Sequence, residues 1–456
     1  MLNTTNSPAA VDSRPLRVAV VGAGPSGMYA AGHLAEHPAG TWIDGTLVSR
    51  APGRVEVDVF DRLPTPWGLV RSGVAPDHPQ KKDVAGVFEE IATRDGVRLI
   101  GNVEVGRDVT ADELAQWYHA VVYAVGAREG RRLDVPGAEL AGSCTAHDLV
   151  AWYNGHPDFA AAGPVLSGER AVVIGNGNVA LDVARVLSMS PEDAARTDIA
   201  VHAEDALRAS AIREVVIVGR RGPEQAAFTN PELEELMALD MVDIIVDGAE
   251  FPTDESPATT AAGARRKRLL AELLARQPRG LPRRIRLMFG HNPSRIIGAE
   301  FVTAIELTST SGHTTVLDAG LVVAAIGYAS VAIPGLPFND VAKVIPSSAG
   351  RVDGLAGIYV TGWIKRGPSG VIGTNKWCAR QTVGALFDDV NDGLIARRHP
   401  LSHAEVLETL TCRGASPVLW NQWRTIDAHE RAQGMASQRP RLKVTSRHEL
   451  LELAHG

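Results

Sequence analysis

Gly22, Gly24 and Gly27 follow the apolar run 18–21 and lead into a helical stretch at 28–34. A glycine turn between a buried strand and a helix is suited to hold a pyrophosphate. The first glycine permits the tight turn, the second lets the backbone approach the phosphates, and the third lets helix and strand pack closely. The helix N-terminus adds free N–H groups and the positive end of its dipole. A second turn, Gly175-Asn176-Gly177-Asn178-Val179-Ala180, stands between a strand at 171–174 and a helix at 181–187, with Ala180 in place of the third glycine. Two such turns in one chain imply two dinucleotide sites.

The residue that ends the next strand of each unit sets which nucleotide fits. In the first unit, Val-Glu-Val-Asp-Val-Phe at 55–60 ends in Asp61, an acceptor for a pair of ribose hydroxyls. Asp61 lies 39 residues beyond Gly22, and a turn-rich insertion at 37–54 accounts for the excess over the usual spacing of about 20. In the second unit the strand at 214–218 is followed by Gly219-Arg220-Arg221-Gly222. Two guanidinium groups there suit a 2′-phosphate, and so NADP in place of NAD. Glu232 and Glu235, three apart on the next helix, share one face. They either hold Arg220 or Arg221 or form a solvated face.

Residues 63–79, Leu-Pro-Thr-Pro-Trp-Gly-Leu-Val-Arg-Ser-Gly-Val-Ala-Pro-Asp-His-Pro, are too apolar for a solvated linker and suit the wrapping of a flat ligand such as a flavin. His78 in this loop is a candidate for proton traffic at the flavin or for orienting the nicotinamide; the alternative is a hydrogen bond within a tight turn. With Glu235 it makes up the candidate catalytic set. No cluster of residues with metal-ligand spacing stands out.

The elements that position these residues are strands at 97–103, 120–126 and 321–328, the last expected to re-enter the first domain. A further strand at 357–362 and a helix running from about 375 toward 389 follow. That helix would direct its dipole at the pyrimidine end of a flavin. Residues 251–264 read as a loop, and residues 390–456 as two helical segments without recognisable chemistry. The stretch 265–295 carries ten Lys or Arg against the single acid Glu272, in a chain of net charge −7. This reversal reads either as a solvated face or as a docking patch for an acidic protein. Nucleic acid fits poorly, because aromatic residues are not interleaved with the cations.

At 456 residues the chain can bury two or three cores. No apolar run approaches a membrane span, and no secretory signal opens the sequence. Cys144, Cys378 and Cys412 are far apart, which excludes a C-x-x-C redox pair or zinc ribbon. The expectation is a soluble cytoplasmic enzyme.

The 63–79 loop, the stretch Val-Ile-Gly-Asn-Gly-Asn-Val-Ala-Leu-Asp at 173–182, Val-Gly-Arg-Arg-Gly-Pro at 218–223 and Gly-Trp-Ile-Lys-Arg-Gly-Pro-Ser-Gly-Val-Ile-Gly-Thr-Asn at 362–375 resemble the adrenodoxin reductases and the bacterial ferredoxin–NADP reductases of the same fold. The resemblance covers roughly residues 15–390. It implies an α/β fold of two Rossmann-like domains, the NADP domain (128–325) inserted within a discontinuous FAD domain (14–127 and 326–390), with 391–456 as an extension beyond the family core. It implies FAD contacts at Ala23, Asp61, Leu69, Val103, Trp363, Gly370, Val371 and Ile372. NADP contacts are implied at Arg131, Asn176, Gly177, Asn178, Val179, Arg220, Arg221, Glu232 and Gly370. The family usually carries Glu where this chain has Asp61. The implied activity is electron transfer from NADPH through FAD to an acidic ferredoxin-like iron–sulfur protein, docked at 265–295. The alternatives are an NADPH-binding redox sensor, or a reductase of another acceptor such as a quinone or flavodoxin.

Overall fold

The computed structural model describes residues 15–36, 41–43, 46–48, 54–247, 261–395 and 399–456. Most of the 37–54 insertion and residues 251–260 of the expected loop lie outside these.

Val18 to Val20 are fully buried, as a strand covered on both faces requires. Strand Leu16–Val21 sits inside a sheet in the order 347–348, 351–352, 358–360, 120–123, 16–21, 55–60, 97–101, 418–419. The five strands from 358–360 to 97–101 run parallel. The helix Pro25–Glu36 leaves the first glycine turn and packs against the long helix Ile372–Asn391, which starts three residues earlier than expected.

The inserted domain is built on a six-stranded parallel sheet in the order 243–246, 284–289, 214–219, 170–174, 321–324, 143–145, with an antiparallel sheet of 291–298, 302–309 and 314–318 beside it. The strand Leu321–Ala324 was expected to re-enter the first domain. It pairs instead with 170–174 and 143–145 in this second sheet. A buried apolar run reads the same in either sheet; only its register decides. The return is made just afterwards, where Tyr328 and Ala329 pair antiparallel with Gly130 and Glu129. Residues 261–264, expected as loop, open the helix Ala261–Ala275.

The expected extension is part of the first domain. Val418–Leu419 adds the edge strand beside 97–101. Trp423, Ile426 and Leu450 lie in the same core as Val18 and Leu34. Among the described residues there are three helices here rather than two: His403–Cys412, Trp420–Ala436 and Arg447–His455.

Candidate functional site

The first glycine turn is closed by contacts only glycine allows. Gly22 has φ +108°, and a Cβ on Gly27 would sit 1.8 Å from the Gly22 carbonyl oxygen. Gly24 is open: its nearest neighbour is the Cα of Gly68, 3.9 Å from where a Cβ would be. The turn and the 63–79 loop therefore face each other with almost no side chain between them. Trp67 N–H donates to the Ala23 carbonyl at 3.0 Å and ties the two together.

Asp61 accepts from Ala23 N–H at 2.8 Å through Oδ2 and from Leu63 N–H at 2.9 Å through Oδ1. Burial pushes its carboxyl above the usual range, against the pull of those two N–H groups. Each oxygen keeps a lone pair, so a ribose diol fits. Val103 N–H donates to the Asp61 carbonyl at 2.9 Å, and Leu69 opens a short helix, Leu69–Ser72, whose N-cap is Gly68. Across the turn, Ser26 donates to Asn375 at 3.0 Å. That contact brings in the start of Ile372–Asn391, with Val371 as its N-cap, and before it the short helix Trp363–Arg366 and Gly370. These surroundings fit FAD: an open glycine cradle, a half-buried acid and two helix N-termini.

In the inserted domain, Gly177 caps the helix Asn178–Leu187. Asn178 Oδ1 accepts from Thr229 N–H at 2.8 Å, and the Asn176 carbonyl accepts from Phe228 N–H at 2.9 Å. Val179 lies in the first turn of that helix, packed on the inserted domain's core. Arg220 and Arg221 follow the strand Glu214–Gly219, exposed, and among the described residues no acceptor holds either guanidinium. Free cations at the end of this strand fit a 2′-phosphate. Arg131 lies beside the neck, its Nε donating to the Tyr328 carbonyl at 3.2 Å.

Glu232 and Glu235 hold neither Arg220 nor Arg221. They turn toward the 63–79 loop and meet it across the domain boundary. His78, 7% exposed, presents Nδ1 to Lys81 Nζ at 3.0 Å and to Arg185 Nη2 at 3.3 Å, both donors. Nδ1 must therefore accept, which leaves the ring proton on Nε2, 2.8 Å from Glu235 Oε2. Glu232 takes Lys81 at 2.5 Å, and Arg185 reaches Asp77, Asp182 at 2.7 Å and, more loosely, Glu232 at 4.0 Å. Burial raises the Asp182 carboxyl, opposed by Arg185 and reinforced by Glu232. Ligand atoms of His78, Asp182 and Glu232 lie within 4.8 Å of one another, a spacing a metal could use. Lys81 and Arg185 already supply the countercharge there.

Sequence reasoning missed Lys81, Asp182 and Arg185 at this junction. The available signal was an acid and an arginine three apart in an otherwise apolar helix, Asn178–Leu187. The 265–295 run is spread over the helix Ala261–Ala275, a loop and the strands 284–289 and 291–298, and several of its cations are already paired. Arg265 is held by Glu234 at 2.7 Å, Arg276 by Glu272 at 2.6 Å, Arg286 by Glu214 at 2.6 Å and Arg295 by Glu306 at 3.1 Å. Arg283 donates to the Met189 carbonyl. Arg268, on Ala261–Ala275, is exposed with no acceptor among the described residues.

The family model described as pyridine nucleotide-disulphide oxidoreductase matches residues 16–222. Over 464 residues the chain is 46% identical to the NADPH-ferredoxin reductase FprA of Mycobacterium tuberculosis, covering 97% of this chain and all of that one. It is 36% identical to the mitochondrial NADPH:adrenodoxin oxidoreductase of Arabidopsis thaliana, over 98% of this chain and 97% of the relative. The solved structure of the M. tuberculosis protein in complex with NADPH superposes with a TM-score of 0.91 at 44% identity, over 97% and 100% of the two chains. These matches run through residues 391–456, so the segment does not exceed the family core.

Proposed function

Since the chain belongs to the NADPH-ferredoxin reductase family, together with the adrenodoxin reductases, we propose specific roles for its residues in an NADPH-dependent reductase of a ferredoxin-type iron–sulfur protein. When bound, FAD would supply the chemistry, two-electron hydride uptake from NADPH and one-electron release to each of two ferredoxins. The protein's work is to bind, orient and shield.

Gly22, Ala23, Gly24 and Gly27 cradle the FAD pyrophosphate, Asp61 takes the ribose, and Leu69, Val103, Trp363, Gly370, Val371 and Ile372 surround the rest. Asn176 to Val179 receive the NADP pyrophosphate, Arg220 and Arg221 the 2′-phosphate, and Arg131 and Glu232 flank the nucleotide. Glu232 Oε2, buried and without a hydrogen bond among the described residues, keeps acceptor capacity for it. His78 holds a proton on Nε2 at the domain boundary, and Glu235, with a side chain 44% exposed, connects that proton to solvent.

The observation that carries this reading is the junction itself: His78 from the loop at the first cradle meets Glu235 from the helix behind the second. The disulfide branch of the matched family has no counterpart here, because Cys144, Cys378 and Cys412 include no C-x-x-C pair. Free thiols also suit a reducing cytoplasm. Among the described residues no helix is long and apolar enough to cross a membrane. For the partner, the basic stretch narrows to Arg265–Arg268 on one helix, with Arg268 as the free charge for an acidic ferredoxin.

The test is spectroscopic and kinetic. Purified protein should carry oxidised flavin bands that bleach anaerobically with NADPH, and should reduce a ferredoxin faster than a quinone or flavodoxin. A colourless protein that binds NADPH without oxidising it would leave the sensor reading instead.

A further inference from the structure

The stretch 439–447 joins the last two helices and lies across the boundary between the domains. Three cations leave it, each four positions from the last, and each reaches the inserted domain. Arg439 Nη2 meets Glu204 at 2.5 Å, Lys443 Nζ meets Asp198 at 3.1 Å and Asn154 Oδ1 at 3.1 Å, and Arg447 Nη2 meets Asp158 at 3.2 Å. Two of them also grip the first domain. Lys443 donates to the Arg71 carbonyl at 3.4 Å, and Arg447 donates to the Arg62 carbonyl at 2.9 Å and to Asn102 Oδ1 at 3.0 Å.

The stretch is itself anchored in the first domain. Arg441 binds Asp427 at 2.9 Å and Glu430 at 3.0 Å. Glu430, fully buried, takes Arg71 through both oxygens, at 2.5 and 2.9 Å, and the Val444 N–H at 2.9 Å. The contacts of Arg439 and Lys443 are little screened by salt, since Asn154, Asp198, Glu204, Arg439 and Lys443 are all less than a tenth exposed.

The covalent link between the domains is slight. Where the chain crosses and returns, the paired neck is two residues long on each strand. A domain held at so short a neck is expected to move relative to its host unless a further interface fixes it. The 439–447 stretch supplies one beside the reacting groups. Asp198 also takes Lys82 at 2.6 Å, and Lys82 ends the short helix Pro79–Lys82, whose N-cap is His78. Arg71 lies in Leu69–Ser72, the helix that opens at the first cradle.

We infer that residues 439–447 form a strap that sets the position of the inserted domain over the 63–79 loop, making Arg439, Lys443 and Arg447 positioning residues for hydride transfer. The inference rests on the assignment of FAD and NADPH to the two domains. Hydride transfer needs donor and acceptor within about 3–3.5 Å, so a small rotation about the neck is costly to rate while leaving each nucleotide's own contacts intact.

The test uses the full-length FAD-loaded enzyme with Lys443→Met, which leaves Asp198 paired to Lys82, and separately Arg439→Gln. Spin labels at Met241→Cys in the inserted domain and Val341→Cys in the first, both exposed, with the exposed Cys412 changed to Ser, report the inter-domain distance by pulsed EPR. The expected result is a broadened distance distribution and a tenfold or greater fall in the rate of flavin reduction at saturating NADPH. The KM for NADPH should stay within twofold, and Arg439→Lys should restore much of the rate. An unchanged distance distribution overturns the inference, whatever the rate does. Loss of fold in both variants would make the stretch an ordinary core element and overturn it too. If the unmodified enzyme is not reduced by NADPH, the functional assignment fails, while the distance measurement still decides the strap.

Discussion

Replacing Arg220 and Arg221 together by Ala isolates the recognition of the 2′-phosphate. Both guanidinium groups are exposed and make no ion pair among the described residues, so their loss breaks nothing in the fold. A hydrogen bond to a charged group contributes about 1.5–3 kcal/mol. Exposure to water places these two at the low end, about 3 kcal/mol for the pair. At 1.36 kcal/mol per decade this is a loss of roughly 150-fold in kcat/KM for NADPH. NADH has no 2′-phosphate and should be used as before. Since the phosphate is remote from the transferred hydride, the interaction is the same in ground and transition states, and the loss should appear in KM with kcat unchanged. The assay is steady-state oxidation of each nucleotide with a small neutral acceptor, alongside the thermal midpoint. Equal losses for NADPH and NADH, or equal use of both by the unmodified enzyme, would refute the assignment.

His78→Gln removes the proton held against Glu235 while keeping a side chain of similar reach. Flavin reduction in stopped flow should slow by on the order of 10² with FAD retained, and an unchanged rate would leave His78 a structural residue. His156 is held down to about 4 from 6.5, first by burial and then by the Arg62 guanidinium. Between those values the unfolded chain binds a proton that the folded chain refuses, so stability falls as pH is lowered through this window. The thermal midpoint should therefore drop from pH 6.5 toward 4, and His156→Gln should flatten that slope. Ferredoxin reduction at limiting ferredoxin should fall steeply with added salt, and Arg268→Glu should slow it without affecting a neutral acceptor. Reversing Arg284 or Arg286 tests something else, because both lie against Glu214 and would place two acids together.

Both cradles were legible because their determinants are local. A glycine turn, the strand before it and the helix after it fall within about fifteen residues, and Asp61 and the Arg220–Arg221 pair are read from the ends of strands. The junction is not local. Lys81 and Glu232 are 151 residues apart, and Arg185 and Asp77 are 108 apart. Each taken alone reads as a solvated charge. Loss of periodicity hid the rest: Val418–Leu419 is too short to show alternation, and 439–446 has no regular structure at all. The 265–295 run, which reads in sequence as a solvated face or a docking patch, is divided among a helix, a loop and two strands, and its partners could not be read from adjacency.

Several ion pairs cross where the two domains meet, and what they add is register more than adhesion. Apolar packing holds two surfaces together but permits them to slide; a buried pair has one geometry. Lys82, Asp198 and Lys443 make the case testable, since two ammonium groups share one carboxylate there. Asp198 is held down to about 2, its burial overcome by Lys443 and Lys82, and burial lowers both lysines. The cluster is therefore costly to desolvate, and removing all three charges at once leaves none unpaired. In the triple variant Lys82→Met, Asp198→Leu, Lys443→Met the thermal midpoint should change little, because the desolvation cost removed with the ions offsets the buried Asn154 Oδ1 left without its lysine donors. Flavin reduction by NADPH should nevertheless slow, because the short helix Pro79–Lys82 and its N-cap His78 then keep only the contacts of Lys81 and His78 to the inserted domain. A rate that rises or holds alongside the midpoint would mean that packing alone sets the register, and the charges would then have no positioning role.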